Sequence, residues 1–250
     1  MGITSSVTDG IAEVVLDVPP VNALDVAGWF TLAETITTLG RDPATRALIL
    51  RAQGRGFCAG VDIKELAADV SHQSLIGVNR GCAAAFAAVY DCEVPVIAAV
   101  HGFCLGGGIG LIGNADVIVA STDATFGLPE VDRGALGAAT HLARLVPQHR
   151  MRSMVYLAES ATADELQRYG SVRSVVERDE LVFAAHEIAT AIAAKSPTII
   201  RRAKESLNGI DPVDVKRSYR FEQGFTYELS LGDDADEARK AFVDKRDAEF

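Results

Sequence analysis

Three short apolar runs separated by helical segments dominate the middle of the sequence. They are RALILR at 46–51, PVIAAV at 95–100 and DVIVA at 116–120, and their composition is typical of strands that are covered on both faces. An alanine-rich helix is predicted from Gln73 to about Asp91, and a shorter one over Ile109–Ile112. This alternation predicts parallel strand pairing with helical crossovers, and therefore an α/β core.

Further elements flank this core. Ile11–Val18 is a predicted strand, and Asp25 is the predicted N-cap of a helix that runs to about Leu39. From about Ala138 onward helices dominate, with one short strand candidate at Val172–Val176. Aromatic residues are concentrated in the C-terminal helices, which suggests a packing or subunit surface; they are Tyr219, Phe221, Phe225, Tyr227 and Phe242.

Composition excludes several functional classes. The formal net charge of −10 argues against nucleic acid as the main partner. The four cysteines are scattered, as in reduced and mostly buried thiols, and no apolar run reaches the ~18 residues of a membrane span. No signal peptide is evident, so we expect a cytoplasmic protein. The five histidines lack ligand-like spacing, so no metal site is predicted; they are His72, His101, His141, His149 and His186.

Two glycine-rich loops each follow a predicted strand and lead into a helix. They are GRGFCAGVDIKE at 54–65 and HGFCLGGGIGL at 101–111. Such junctions present free backbone N–H groups, and two of them together can form an oxyanion hole for a thioester or carbonyl oxygen. A phosphate cradle is less well supported, because neither GxxxxGK[ST] nor GxGxxG spacing is present. On spacing alone, glycines that only permit close helix–strand packing explain the loops equally well.

The motifs FCAGVDIKEL, GFCLGGGIGL, DVIVAS and FGLPEVDRGAL follow one another as in the enoyl-CoA hydratase/isomerase (crotonase) family, which the sequence resembles along essentially its whole length. The resemblance implies a crotonase (ClpP-like) β-spiral core over residues 1–190. It implies a helical trimerisation region over residues 191–250, with assembly as a homotrimer or a dimer of trimers. It also implies an acyl-CoA thioester as substrate, with coenzyme A as part of that substrate and no separate cofactor.

The same resemblance assigns roles to particular residues. The backbone N–H groups of Val61 and Gly107 would form the oxyanion hole, and Glu130 would act as an acid/base. Lys245 or Arg246 would reach the phosphates of coenzyme A, although a solvated helix end explains these two residues nearly as well. Coenzyme A would lie along one short segment: Ala59, Gly60, Val61, Asp62 and Ile63.

The sequence departs from the hydratase pattern at one important position. Hydratases of the family use two glutamates, and Gly110 stands where the first is expected, whereas Glu130 retains the second. We expect the glycine to open space for a bulkier acyl group. His141 stands where the family commonly has glutamine; it is a candidate for proton transfer, although a packed structural histidine is the somewhat better supported interpretation. Tyr227 and Glu228 are weaker candidates for contributors from a C-terminal helix.

Several fragments favour a narrower resemblance. GRGFCAGVDIKE, NRGC, GLPEVDRGALGAATHLARLVPQH and SYRFEQGFTYEL resemble the ring-opening, crotonase-type hydrolases of bacterial steroid (cholesterol) catabolism, which act on a bicyclic keto (indene-type) acyl-CoA. The expected reaction is a retro-Claisen C–C cleavage through a stabilised enolate. Two alternatives remain: an enoyl-CoA hydratase or double-bond isomerase that works with Glu130 alone, and a non-catalytic acyl-CoA-binding protein. A Rossmann-type redox enzyme is disfavoured by the missing fingerprint.

Overall fold

A six-stranded sheet forms the centre of the computed structural model, which describes residues 2–68 and 73–250. The strands, in chain order, are β1 (Gly2–Thr8), β2 (Ile11–Asp17), β3 (Ala23–Leu24), β4 (Ala47–Ala52), β5 (Gly60–Val61), β6 (Val96–Val100), β7 (Phe103–Leu105), β8 (Val117–Ser121), β9 (Thr125–Gly127), β10 (Ser160–Thr162) and β11 (Ser174–Val176). The central sheet has the order β1-β2-β4-β6-β8-β11, and only the β1–β2 pair in it is antiparallel. Two small sheets, β10-β9-β7 and β3-β5, lie beside it.

Helices cover both faces of the central sheet. In chain order they are α1 (Val26–Arg41), α2 (Ile63–Ala68), α3 (Gln73–Tyr90), α4 (Gly107–Ile112), a 3-10 helix (Pro129–Arg133), α5 (Ala139–Leu142), α6 (Gln148–Leu157), α7 (Ala163–Tyr169), α8 (Leu181–Ala193), α9 (Pro197–Gly209), α10 (Val215–Leu229) and α11 (Asp233–Asp244). Within the described residues, none of these helices is long and apolar enough to cross a membrane.

The predicted parallel core is confirmed in β4, β6 and β8. Their side chains alternate between two apolar layers: Leu48 and Leu50 belong to the main core, whereas Ile49 faces the opposite layer. Helix α8 covers that second layer with Leu181 and Ala185, which are almost fully buried. Burial on both faces explains why these strands are apolar almost throughout.

Helix α1 begins where the sequence predicts. The Asp25 side chain accepts a hydrogen bond from the Gly28 N–H at 2.6 Å and caps the helix. The helix then packs along α3, and Gly81 permits the close approach, because a Cβ at that position would lie only 2.7 Å from Cβ of Trp29. This contact places α3 beside the two glycine loops.

The C-terminal helices cover the same end of the core. Helix α10 packs on α3 and α5, and α11 packs on the 3-10 helix. Their aromatic residues divide into two groups: Tyr219 is 7% exposed and faces inward, whereas Phe221 is 70% exposed. The aromatic residues of α10 therefore contribute to the interior of this chain as well as to its surface.

Candidate active site

The structure brings the two glycine loops together. The Leu105 N–H donates to the Cys58 carbonyl at 2.8 Å, and the Phe57 N–H donates to the Phe103 carbonyl at 2.9 Å. Cys58 and Cys104 face each other across a parallel bridge, and both side chains are fully buried. Their burial confirms the prediction of buried thiols, and it raises the pKa of the Cys58 thiol to about 12.

The two predicted oxyanion-hole segments, β5 and the start of α4, touch each other. A Cβ at Gly60 would lie 3.0 Å from the backbone nitrogen of Gly107. Gly107 is the first residue of α4, and within residues 2–68 and 73–250 its N–H has no backbone acceptor. Val61 follows Gly60 directly in β5. The geometry thus sets a free helical N–H beside the second predicted donor; their joint role as an oxyanion hole stays a prediction.

A mostly apolar cavity of about 360 Å³ opens at this junction. The predicted catalytic residues Val61, Gly107 and Glu130 line it, whereas His141 and Lys245 do not. Of the predicted coenzyme A segment, the cavity wall contains Ala59, Val61, Asp62 and Ile63, and Gly60 lies immediately behind them. The cavity therefore gathers most of the predicted site residues in one place.

Glu130 supplies a carboxyl group to the cavity wall. Its Oε2 is shielded from solvent and has no hydrogen-bond partner among the described residues. Its Oε1 packs against Gly106, where a Cβ would come within 2.5 Å of it. Burial raises the pKa of the Glu130 carboxyl to about 7, with opposing effects from Arg133, which lowers it, and Glu222, which raises it. Such a carboxyl can take up and release a proton near neutral pH.

The expectation that Gly110 opens space for the acyl group is wrong. A Cβ at Gly110 would lie 2.5 Å from Cε1 of Phe86 and closer still to its Cζ. Phe86 is 2% exposed and packs edge-on against Trp29, with ring centroids 5.7 Å apart. The missing carboxylate is thus replaced by an aromatic ring from α3, and the cavity gains no volume there.

His141 lies behind the cavity wall. It is 1% exposed, and its ring centroid is 5.0 Å from those of Phe86 and Tyr219. Neither ring nitrogen has a hydrogen-bond partner among the described residues. Burial, together with the nearby Arg144, lowers the pKa of His141 to about 3, so the ring is neutral. The structure does not bring this candidate into contact with the cavity.

Helix α10 and the residue that follows it contribute to the cavity through residues that the sequence analysis did not propose as site residues. They are Tyr219 and Thr226 in α10 and Ser230 directly after it, whereas the weaker candidates Tyr227 and Glu228 lie outside the wall. The contributing positions are separated by seven and four residues, which is the spacing of one helical face. An analysis of α10 as an amphipathic helix would have found them.

Helix α3 contributes a second overlooked polar group. Asn79 lines the cavity, is 7% exposed, and its side-chain Nδ2 has no hydrogen-bond partner among the described residues. The rest of its stripe is apolar or weakly polar: Leu75, Val78, Cys82 and Phe86. The sequence feature that could have identified Asn79 is an amide in an otherwise apolar helical stripe.

Basic side chains stand at the outer wall. Arg133 Nη1 donates to the Pro129 carbonyl at 2.8 Å, and the guanidinium lies 4.4 Å from the ring centroid of Phe242. Lys245 is exposed at the end of α11, and Arg246 next to it is ion-paired with Glu237. A contact from either residue to the phosphates of coenzyme A stays a prediction.

Metal ligands are not clustered in the part of the chain that the structure describes: no group of three or more His, Cys, Asp or Glu residues there is arranged to hold an ion. His72, one of the five histidines considered in the sequence, lies outside the described residues.

Known proteins match this chain over nearly its whole length. A profile of the enoyl-CoA hydratase/isomerase family matches residues 6–250. A protein of Rhodococcus jostii (strain RHA1) is 63% identical over 245 residues, 98% of this chain and 95% of its own length. A protein of Mycobacterium tuberculosis (strain ATCC 25618 / H37Rv) is 61% identical over 246 residues, 98% of this chain and 100% of its own. Both are named (7aS)-7a-methyl-1,5-dioxo-2,3,5,6,7,7a-hexahydro-1H-indene-carboxyl-CoA hydrolase.

A solved structure supports the same fold. The crystal structure of an enoyl-CoA hydratase/isomerase from Xanthobacter autotrophicus Py2 is 25% identical in sequence and superposes with a TM-score of 0.89. The superposition covers 100% of this chain and 98% of that chain. The central sheet, the glycine loops and the C-terminal helices therefore all lie within the shared architecture.

Proposed function

The chain belongs to the enoyl-CoA hydratase/isomerase family, and from that membership we propose that it is a crotonase-type hydrolase that opens a ring of a bicyclic keto acyl-CoA. The names of the two relatives at 61–63% identity describe such a substrate, a 1,5-dioxo-hexahydroindene that carries a carboxyl-CoA thioester. This substrate class belongs to steroid degradation, as the narrower sequence resemblance implies. The observation that carries the proposal is the Glu130 carboxyl beside two adjoining glycine loops, because its shielded Oε2 has no hydrogen-bond partner among the described residues.

The proposed reaction is a retro-Claisen cleavage. Ionised Glu130 removes a proton from water, and the water oxygen adds to a ring ketone carbon. The tetrahedral adduct then collapses: the C–C bond next to the former ketone breaks, and its electron pair passes into an enolate conjugated with the thioester. The N–H groups of Val61 and Gly107 hold the enolate oxygen; one such donor is worth ~3–4 kcal/mol of barrier. Glu130 returns its proton to carbon, and the new carboxylic acid ionises.

A hydratase is less well supported by the cavity. Hydration requires a second group that positions or deprotonates the water, and Phe86 fills the position of the missing glutamate. Among the described residues, Asp62 is the other carboxylate in the cavity wall, and its Oδ1 accepts from the Lys64 N–H at 2.9 Å at the start of α2. Glu222 is occupied in the same way, since it accepts from the Ala139 and Thr140 N–H groups.

Assembly and location belong to the same proposal. Helices α9 and α10 present large apolar side chains to solvent, which supports a homotrimer or a dimer of trimers; they include Ile199, Leu207, Phe221 and Phe225. Light scattering coupled to size-exclusion chromatography measures the copy number directly. We expect the protein to act in the cytoplasm on an acyl-CoA thioester, without a metal or a redox cofactor.

Product analysis in ¹⁸O-water tests the function. The purified enzyme is incubated with the indene-type keto acyl-CoA, and separately with crotonyl-CoA, and the products are identified by mass spectrometry. We expect a ring-opened CoA ester with ¹⁸O in its new carboxylate, and no hydration of crotonyl-CoA. Hydration of crotonyl-CoA without ring opening would establish the hydratase instead. Tight binding of both esters without any turnover would indicate the non-catalytic binding protein.

A further inference from the structure

Two buried polar atoms in the cavity wall lack any hydrogen-bond partner among the described residues: Oε2 of Glu130 and Nδ2 of Asn79. One accepts a proton, and the other donates a hydrogen bond. The mechanism described above uses the first and leaves the second without a role. Water addition to a ketone needs both a base for the water and a donor for the carbonyl oxygen.

The turn of α3 that carries Asn79 is held in place by its surroundings. Its backbone carbonyl accepts a hydrogen bond from Gln223 Nε2 at 2.6 Å, which ties α3 to α10 at this turn. Val78 and Cys82, both 3% exposed, pack into the core on the same helical face. The amide therefore projects from a packed helical turn, where an unmade hydrogen bond lowers the stability of the fold.

A leucine of similar size would avoid that cost. Substitution of an unpartnered buried polar group by an apolar group of similar shape is neutral or stabilising. An amide in this apolar stripe makes the fold less stable than an apolar side chain would. Such local conflicts between sequence and fold concentrate at functional positions. The cavity is where the missing partner of Nδ2 would bind.

Two hydroxyl groups of the cavity wall already make hydrogen bonds within the protein. Thr226 Oγ1 donates to the Leu136 carbonyl at 2.8 Å, and Ser230 Oγ donates to the Thr226 carbonyl at 2.6 Å. Unlike these two hydroxyl groups, the Asn79 amide retains an unused donor among the described residues.

We propose that Asn79 is a catalytic residue whose Nδ2 donates a hydrogen bond to the oxygen of the ring ketone that water attacks. This inference rests on the proposed ring-opening function. As water adds, the C=O double bond becomes a C–O single bond, and its electron pair moves onto the oxygen, where the Asn79 N–H stabilises the alkoxide. When the C–C bond breaks, the C=O bond of the new carboxyl group re-forms and the hydrogen bond weakens. Specificity for a cyclic ketone over a simple enoyl thioester follows from this donor.

The test compares three variants with the wild type. Asn79→Leu removes both amide atoms at nearly constant volume, and Asn79→Ala removes them without any steric risk. Asn208→Leu is the matched control. Asn208 lies on α9, outside the cavity, and its Nδ2 donates to the Tyr90 carbonyl of α3 at 2.8 Å. For each protein, kcat and KM for ring opening of the keto acyl-CoA are measured beside the melting temperature.

We expect kcat of both Asn79 variants to fall ~100–1,000-fold, with KM little changed, since one donor to a developing oxyanion is worth that much. The melting temperature of Asn79→Leu should equal or exceed that of the wild type. A purely structural role of Asn79 predicts a lower melting temperature instead. The Asn208→Leu variant should keep the wild-type kcat. Folded Asn79→Leu or Asn79→Ala protein with kcat within threefold of the wild type would overturn the inference. Failure of the wild type to open the ring would instead refute the proposed function.

Discussion

The phenyl ring of Phe86 occupies the volume into which any side chain at Gly110 would extend. The ring cannot yield easily, because it packs against Trp29 on one side and lies 5.0 Å from the rings of His141 and Tyr219 on the other. The two positions are therefore coupled: a carboxylate at 110 and a phenylalanine at 86 exclude each other. With Phe86 in place, this packing leaves no room for the two-glutamate arrangement of a hydratase.

A first prediction concerns this pair. Gly110→Glu alone should destabilise the protein by about 1–3 kcal/mol, because its side chain overpacks the contact with Phe86, and should not create hydratase activity. In Gly110→Glu with Phe86→Ala, the new side chain has room, so the melting temperature should recover in part and slow hydration of crotonyl-CoA should appear.

Thermal unfolding and a crotonyl-CoA assay measure both effects. Gly209→Glu controls for the substitution itself, because Gly209 is exposed and a Cβ there would meet no atom of residues 2–68 or 73–250 within 4 Å. Equal stability of Gly110→Glu and the wild type would show that the core adapts and that the coupling is weak.

A second prediction concerns Glu130. Glu130→Gln should lower kcat for ring opening ~100–10,000-fold, because the amide cannot accept the proton of the attacking water. Binding of the CoA ester should remain largely intact, since the side chain keeps its size and the glycine loops are untouched. Isothermal titration gives the affinity, and product analysis gives the rate.

Asp132→Asn is the matched control for Glu130→Gln, since Asp132 lies in the same 3-10 helix but is exposed and outside the cavity. It should retain the wild-type rate. Near-wild-type turnover of Glu130→Gln would contradict the assigned base.

A third prediction concerns pH. If Glu130 acts as a base in its ionised form, kcat/KM should rise with pH through an inflection near 7, the pKa to which burial raises this carboxyl. Arg133 opposes the rise in that pKa, so Arg133→Met should raise it further and move the inflection to higher pH. A profile that is flat between pH 5 and 9, or an inflection that moves to lower pH in the variant, would argue against this assignment.

Local sequence patterns predicted much of the fold. The strands β4, β6 and β8 and the cap at Asp25 depend on neighbouring residues, and the structure confirms them within one or two positions. The strands β7 and β9 were missed because each has three residues and is defined by its partner across the small sheet.

Some residues of the candidate site could likewise be predicted from local motifs, and others could not. Glu130 and the glycine loops belong to contiguous motifs, which a sequence displays directly. The occupant of the space beside Gly110 could not be predicted, because Phe86 reaches it from another helix. Asn79 was overlooked because its helix is rich in alanine, as a helix buried by packing would be; only the cavity shows that the stripe faces a space rather than a neighbouring helix.

A last prediction concerns His141. Because its ring is buried outside the cavity, without a hydrogen-bond partner in the described part of the chain, His141→Phe should keep kcat for ring opening within about threefold of the wild type. Burial lowers the pKa of the folded ring to about 3, whereas an unfolded histidine takes up a proton near pH 6.5. The unfolded wild type therefore binds more protons below pH 6.5, and stability falls as the pH drops from there toward 3. His141→Phe lacks this loss of stability. The melting temperature of the variant, relative to that of the wild type, should therefore increase as the pH drops from 6.5 toward 3. A large decrease in kcat at unchanged stability would instead give His141 a part in proton transfer.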